Sequence, residues 1–267
     1  MTEEEGQGFT EGFHSRTKRQ EQIAEYLLQH PSVAVQELAD LFNVSSMTVY
    51  RDMDELERQG ILRKVRGGAT AQPSSLFESD LRYRVGSSSN EKLAIAQYAV
   101  QYVQPGQAVM MDDSTTALEL ARQIKKVTPL TVITNSLPII QELLSVKGIR
   151  LISLGGEYLP HYSGFAGIIC EQAINSLHAN VLFMSVSAVS DNIAFHQEQG
   201  IVKVKQAMMN SVAQRILLVD HNKFHKIALH RLAPLDQFNL VIVDSGLDQE
   251  SLEQLQKDRI KVEVAPV

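Results

Sequence analysis

Positive charge, cysteine and long apolar runs are all scarce in this chain. Its 267 residues carry a formal net charge of −6. The one cysteine, Cys170, leaves no partner for an intramolecular disulfide and no basis for a cysteine metal cluster. No apolar run approaches the roughly 20 residues of a membrane-spanning helix. The start, MTEEEGQGFTEG, is acidic and polar and does not read as a secretory signal. Residues 1–16 read instead as a disordered acidic tail. These absences point to a cytoplasmic protein with no membrane partner, no metal site and no cofactor. There is no internal repeat, and no low-complexity tract beyond one serine-rich stretch. With 44% hydrophobic residues, core material is ample. The length suits one large domain or two of unequal size. An acidic total does not exclude nucleic acid, because a small head fused to a larger acidic body keeps its own local field.

Residues 35–69 read VQELADLFNVSSMTVYRDMDELERQGILRKVRGGA. Leu38, Ala39 and Phe42 give a first helix an apolar face at helical spacing. Asn43 and Val44 make a turn. Ser45 or Ser46 is placed to cap the next helix, where a hydroxyl can satisfy orphan amides. On that second helix Val49, Met53 and Leu56 share one side and face the core. Ser46, Met47, Tyr50 and Arg51 lie near its start on other faces. In a helix-turn-helix, the N-terminal part of the second helix enters the major groove. Gly60 stops the helix, Ile61 to Val65 reads as a strand, and Arg66-Gly67-Gly68 as a turn. Arg58, Arg63, Lys64 and Arg66 form a basic cluster beside a glycine-rich tip that can approach a phosphate backbone closely. An upstream helix, Thr17 to His30, brings Ile23, Tyr26 and Leu27 to the small core. The acids Asp52, Asp54, Glu55 and Glu57 temper the local field, so modest non-specific DNA affinity is expected.

On these residues, 17–69 resembles the winged helix-turn-helix of the DeoR family of bacterial transcriptional regulators. The matching positions are Glu37-Leu38-Ala39, Val44-Ser45, Thr48, Arg51-Asp52, Leu56-Glu57, Gly60 and Gly67-Gly68-Ala69. The resemblance implies operator DNA as partner, met by Ser46, Met47, Thr48, Tyr50 and Arg51 on the helix and by Arg58, Arg63, Lys64, Arg66 and Gly67 around the wing. The family has a second arginine before the recognition-helix aspartate. Here that position is Tyr50, so the operator sequence is not transferable.

The domain reading is 17–70 for the head, 71–90 for a linker with Pro73 and six serines, and 91–267 for a larger domain. From Glu91 onward, helices and strands alternate. Helices are expected at Glu91–Tyr102, Thr116–Lys126, Pro138–Val146, Ala166–Leu177 and Lys203–Val212. Strands are expected at Ala108–Met111, Leu130–Thr134, Arg150–Leu154, Val181–Val186, Arg215–Val219, Leu240–Val243 and Lys261–Val264. The alternation argues for an α/β domain with a mainly parallel sheet covered by helices. Ligands in such sheets sit at the carboxyl ends of strands. Those ends carry Asp112-Asp113-Ser114-Thr115-Thr116, Thr134-Asn135-Ser136, Leu154-Gly155-Gly156, His161-Tyr162-Ser163-Gly164 and Asp220-His221-Asn222-Lys223-Phe224. Hydroxyls and exposed amides opening a helix make an anion site.

The same strand ends resemble the effector domain of the DeoR family, whose fold is similar to ribose-5-phosphate isomerase. D-x-G-T-T appears as Asp112 to Thr116, T-N-S as Thr134 to Ser136, L-G-G as Leu154 to Gly156, V-K-x-x-M with Lys205, and D-x-S-K-F with Lys223. The resemblance implies a repressor of a carbohydrate-utilisation operon, a homo-oligomer (dimer or tetramer), released from DNA by a phosphorylated sugar or related metabolite. Ser114, Thr115, Thr116, Ser136, Gly155 and Gly156 would then surround the effector, with Asp112 and Asn135 on sugar hydroxyls and Lys205 or Lys223 supplying positive charge. Three features depart from the family. Ser114 stands where it has glycine, a change expected to alter the loop. The acidic positions after the Val181 strand are replaced in Ser185–Ser190. His196, Gln197 and Glu198 replace small residues. An isomerase needs a general base, and Ser187 and Ser190 stand where the related enzymes keep acids. The chain therefore reads as no enzyme, with Glu198 or Asp191 as the only substitutes. The alternatives are a sugar-phosphate isomerase with a DNA head, and a DNA binder whose larger domain only oligomerises.

Overall fold

The computed structural model describes residues 19–20, 22–24, 26–27, 30, 32–58, 62–71 and 81–267. The acidic tail, the helix stop at Gly60 and the Pro73 end of the linker lie outside them. The chain divides into two compact units between Ser87 and Ser88.

In the first unit, β1 (Ser32–Ala34) leads into α1 (Val35–Phe42), and α2 (Ser46–Arg58) follows a turn in which Asn43 is left-handed with φ 49°. Ser45 is the residue that caps α2, its Oγ accepting from the Thr48 amide at 3.2 Å. β2 (Leu62–Val65) and β3 (Gly68–Ala71) form the wing, and β1 pairs with β3 in a three-stranded antiparallel sheet. β1 was not anticipated: three residues are too few for an alternation pattern to register. Its pairing explains Gly68, where any Cβ would collide with the Val33 carbonyl oxygen. Ile23, Leu27, Leu38, Val49, Met53, Leu56 and Leu62 are buried together as the core. Part of the expected linker is helical, as α3 (Leu81–Gly86).

The second unit is a seven-stranded parallel sheet between two helical layers. Its strands are β4 (Ala108–Met111), β5 (Leu130–Thr134), β6 (Ile149–Ser153), β9 (Ala179–Met184), β12 (Val212–Val219), β14 (Leu240–Asp244) and β15 (Val262–Ala265), in the order β15-β14-β12-β9-β4-β5-β6. Alternate residues of each strand face opposite layers. Val109, Met111, Val181 and Phe183 pack with α4 (Ser89–Ala99), α5 (Thr115–Gln123) and α6 (Leu137–Leu143). Met110, Leu182 and Met184 pack with α7 (Ile168–Asn175) and α8 (Gln199–Asn210). The inner strands β4 and β14 are apolar and buried almost throughout, as parallel strands covered on both faces are, while the edge strands β6 and β15 carry Arg150 and Glu263.

Several expected boundaries move for identifiable reasons. Ala166, expected to open a helix, is not helical. It ends β8 (Gly164–Ala166), hairpinned to β7 (Glu157–Leu159), and α7 starts only after Gly167, whose φ of 83° breaks the chain direction. α8 begins at Gln199 rather than Lys203, because the Glu198 carboxylate caps it by accepting from the Gly200 amide. A small antiparallel sheet of β10 (Ala188–Ser190), β11 (Ile193–His196) and β13 (His230–Pro234), and the polar helix α9 (Gln249–Lys257), were not expected at all.

Candidate nucleic-acid interface and effector site

The surface of α2 divides as its spacing predicts. Val49, Met53 and Leu56 are buried, while Met47, Tyr50 and Arg51 are exposed and Ser46 and Thr48 are half-buried. Asp52 differs from its three acidic neighbours. It is buried, and it accepts from Arg19 Nε at 2.6 Å and from Gln20 Nε2 at 3.0 Å, tying the upstream helical segment to α2. The Arg19 guanidinium offsets its charge.

The basic cluster is smaller than its residue count. Arg58 pairs with Glu55, and Lys64 pairs with Asp54 and lies 3.4 Å from Glu57. Arg51, Arg63 and Arg66 are exposed and form no ion pair among the described residues. The wing turn between Val65 and Gly68 holds Arg66 and Gly67, the glycine at φ 80° with open space where a Cβ would stand. A left-handed glycine at an unobstructed tip lets the main chain come close to a phosphate.

In the second unit the strand order reverses at β4. The chain first steps from β4 to β5 to β6, then returns to β9 on the other side and continues to β12, β14 and β15. The carboxyl ends of β4 and β9 therefore flank the topological switch point, where parallel sheets open a crevice. Asp112 follows β4, and its Oδ1 accepts from the Ser114 amide at 3.0 Å. Its Oδ2 accepts from the Ser185 amide, which follows β9, at 2.9 Å, and from Lys205 Nζ. Lys205, buried on α8, also donates to the Ser185 carbonyl at 3.0 Å and lies 3.5 Å from Asp113 Oδ1. Asp112 and Lys205 thus tie the carboxyl ends of β4 and β9 to each other and to α8. This differs from the expected roles of a sugar-facing acid and a ligand-facing cation: both groups are spent on each other across the switch point.

Ser114 does not distort its loop. With φ −78° and ψ 150° it is an ordinary N-cap, its Oγ accepting from the Ala117 amide at 3.1 Å. No glycine geometry is needed there, so replacement of the family glycine adds a cap and no strain. The amides of Thr115 and Thr116 remain as the uncapped donors at the start of α5. Both side chains are buried.

Asn135 follows β5, the neighbour of β4 in the sheet. Its backbone carbonyl accepts from the Phe165 amide at 2.8 Å, and its Nδ2 donates to the Phe165 carbonyl at 2.9 Å, fixing the amide plane against β8. Its Oδ1 is buried with no hydrogen-bond partner among the described residues. A buried acceptor left so costs about 1–3 kcal/mol. Gly164 packs beside it, where a Cβ would lie 3.0 Å from Asp113 Cβ and 3.6 Å from Asn135 Nδ2. Ser136 caps α6 at 3.5 Å from the Ile139 amide.

The remaining expected residues sit differently. Gly156, at φ 143°, faces the Ala166 carbonyl and Cys170 Cβ, so its glycine is required by the packing of β8 and α7. Gly155 has open space around it. Burial pushes the Cys170 thiol up to about 11, which makes it a packing group. Lys223 stands on a 3-10 turn (His221–Lys223) after β12, two strands from β4, roughly 10 Å across the sheet. Of the substitute acids, Glu198 caps α8 and Asp191 lies in the β10–β11 turn. Sequence reasoning did not single out Asp113, Ser185 or Gly164 as site residues, although each lay inside or beside a quoted motif.

Comparison with known proteins follows the same division. Residues 19–75 match the family model described as the DeoR-like helix-turn-helix domain, and 87–245 match the DeoR C terminal sensor domain. The chain is 32% identical over 251 residues to a putative aga operon transcriptional repressor of Escherichia coli O157:H7, covering 92% of this chain and 93% of that protein. It is 29% identical to the HTH-type transcriptional regulator IolR of Bacillus subtilis (strain 168), covering 92% and 98%. It is 28% identical to the lactose phosphotransferase system repressor of Lactococcus lactis subsp. lactis, covering 90% and 95%. Among solved structures, ribose 5-phosphate isomerase A from Methanocaldococcus jannaschii aligns at TM-score 0.39 and 16% identity over 52% of this chain and 55% of that one. The sensor-domain match alone spans more than half of the chain, and the chain belongs to the DeoR family of DNA-binding transcriptional regulators.

Proposed function

We propose that the protein is a cytoplasmic repressor of a carbohydrate-utilisation operon, working as a homo-oligomer and released from its operator by a phosphorylated sugar or a related metabolite. The observation that carries the effector half is Asn135 Oδ1, a buried acceptor without a partner among the described residues, at the carboxyl end of β5 and so next to the β4 end that leads into α5. A sugar hydroxyl supplies the missing donor, and a phosphate suits two free amides at a positive helix end. Lys205 and Asp112 preorganise the switch-point crevice and are not its ligand contacts.

The reading is of a binding site and not of a catalytic one. Proton transfer beside a carbonyl requires a base with a free lone pair in reach of the carbon. Asp112, which accepts from three donors including Lys205, is held as a structural group, which favours binding over proton transfer. On DNA, Arg51 with Ser46, Met47, Thr48 and Tyr50 reads base edges, while Arg63, Arg66 and the Gly67 tip hold phosphates. Release follows only if the effector binds the DNA-free arrangement more tightly than the DNA-bound one.

The test is fluorescence anisotropy of labelled DNA fragments flanking the gene, titrated with protein in the presence of each of a panel of sugar phosphates and their unphosphorylated parents. Release of one fragment by one phosphorylated compound is the expected result. Tight binding that no compound on the panel relieves would contradict the effector half and leave the DNA half standing.

A further inference from the structure

A cavity of about 770 Å³ in the second unit shares no lining residue with the switch-point crevice. Four of its walls are acidic, Asp191, Asp248, Glu250 and Asp258, and the one lining group able to carry positive charge is His225. Hydrogen bonds from the Ser251 amide and hydroxyl hold Asp248 down to about 2, and those from Gln254 and Asn192 hold Asp258 below the usual carboxylate range. Both walls stay charged at neutral pH. The apolar lining, Val189, Phe224 and Leu255, is buried.

Directly after His225 the chain continues Lys226-Ile227-Ala228-Leu229-His230-Arg231, and no acidic residue occurs between Asp220 and Asp236. Ala228 is buried with Ala188 and Phe195, which pins the segment to the small sheet. On either side of it Ile227 and Leu229 are 70% and 77% exposed. Lys226 and Arg231 are exposed and form no ion pair among the described residues. A basic segment with two apolar tips therefore lies beside an acid-walled cavity with an apolar lining.

We propose that this face is a two-fold interface between copies of this chain, the Lys226–Arg231 segment of each copy seated against the acidic cavity of the other. Neighbouring patches of opposite character are what an isologous contact needs, since residue i meets j while j meets i on either side of the axis. The charges set partner choice and orientation, and Ile227 and Leu229 are the apolar anchors. The inference rests on the homo-oligomer part of the proposed function and names the surface that serves it.

Light scattering and sedimentation equilibrium on the full chain test it. Glu250→Lys/Asp258→Lys reverses one wall, leaving Asp248 to cap α9 through the Ser251 amide. Lys226→Glu/Arg231→Glu reverses the segment. Each double variant is expected to weaken association at least tenfold, and the fourfold variant to restore it. Ile227→Ser/Leu229→Ser is expected to give monomers, with circular dichroism confirming an unchanged fold. An oligomer indifferent to all these variants would overturn the interface and leave the homo-oligomer reading intact. Loss of association in both double variants without recovery in the fourfold one would overturn the pairing. A monomeric wild type would overturn both. A monomer stabilised by calcium chloride or spermidine, but not after Glu250→Lys/Asp258→Lys, would make the cavity a cation site instead.

Discussion

Lys64 in the wing and Lys205 in the sensor each stand beside two carboxylates, but Lys64 does so in solvent and Lys205 out of it. The Lys64 side chain is 36% exposed and that of Lys205 is 2% exposed. Exposed pairs are worth about 0–1 kcal/mol and yield easily to a better partner. Asp54 and Glu57 can therefore release Lys64 when a phosphate arrives. Two ions taken out of water bind each other because separation leaves an uncompensated charge. The wing thus holds Lys64 loosely, while the frame of the head has an ion pair of its own in Arg19–Asp52. The sensor commits Lys205 to its frame, and the groups proposed for the ligand are backbone amides and one amide oxygen.

The largest expected effect breaks the buried side of this contrast. Lys205→Met leaves Asp112 and Asp113 without their cation and should cost about 3–5 kcal/mol, read by urea denaturation. Adding Asp112→Leu should recover part of that loss. Next comes Arg51→Ala, which should weaken operator binding by about 1–3 kcal/mol, as loss of a base-edge contact does. The readout is anisotropy at fixed salt, and unchanged affinity would remove α2 from the recognition role. Arg63→Ala and Arg66→Ala should each lower the slope of log affinity against log salt by about 0.9, with little change between DNA sequences. Smallest is Lys64→Ala, expected to move folding stability by no more than about 1 kcal/mol. A loss in Lys64→Ala as large as in Lys205→Met would erase the distinction between the two lysines.

Much of the head was legible because its signals are local. The apolar positions of α1 and α2 lie within one or two turns of each other, and the wing is a short hairpin. Even the burial of Asp52 had a trace, since 49, 52, 53 and 56 follow helical spacing, although its carboxylate reads in sequence as one of the acids that temper the local field. In the sensor the strand ends were legible for the same reason. Asp112 to Thr116 and Thr134 to Ser136 are contiguous motifs. What joins them is not local. Asp112 and Lys205 are 93 residues apart in the chain, and nothing in either neighbourhood announces that they neutralise one another. The β10-β11-β13 sheet was missed because its strands are short and β13 joins from far along the sequence. α9 was missed because Leu255 is its one buried residue, too little for a periodicity. Gly156 shows the opposite error. A glycine pair at a strand end looked like a ligand loop, but at Gly156 the glycine serves the close approach of β8.

The most direct measurement is a thermal-shift screen of the wild type and of Asn135→Ala against phosphorylated sugars, sugar alcohols and aldonates, with unphosphorylated parents as controls. At a hundred times its dissociation constant, an effector stabilises by about 2.7 kcal/mol. One phosphorylated compound should raise the wild-type midpoint, its parent should not, and Asn135→Ala should lose most of the response. An equal response in Asn135→Ala, or no response to any compound, would contradict an effector held between Asn135 and the start of α5.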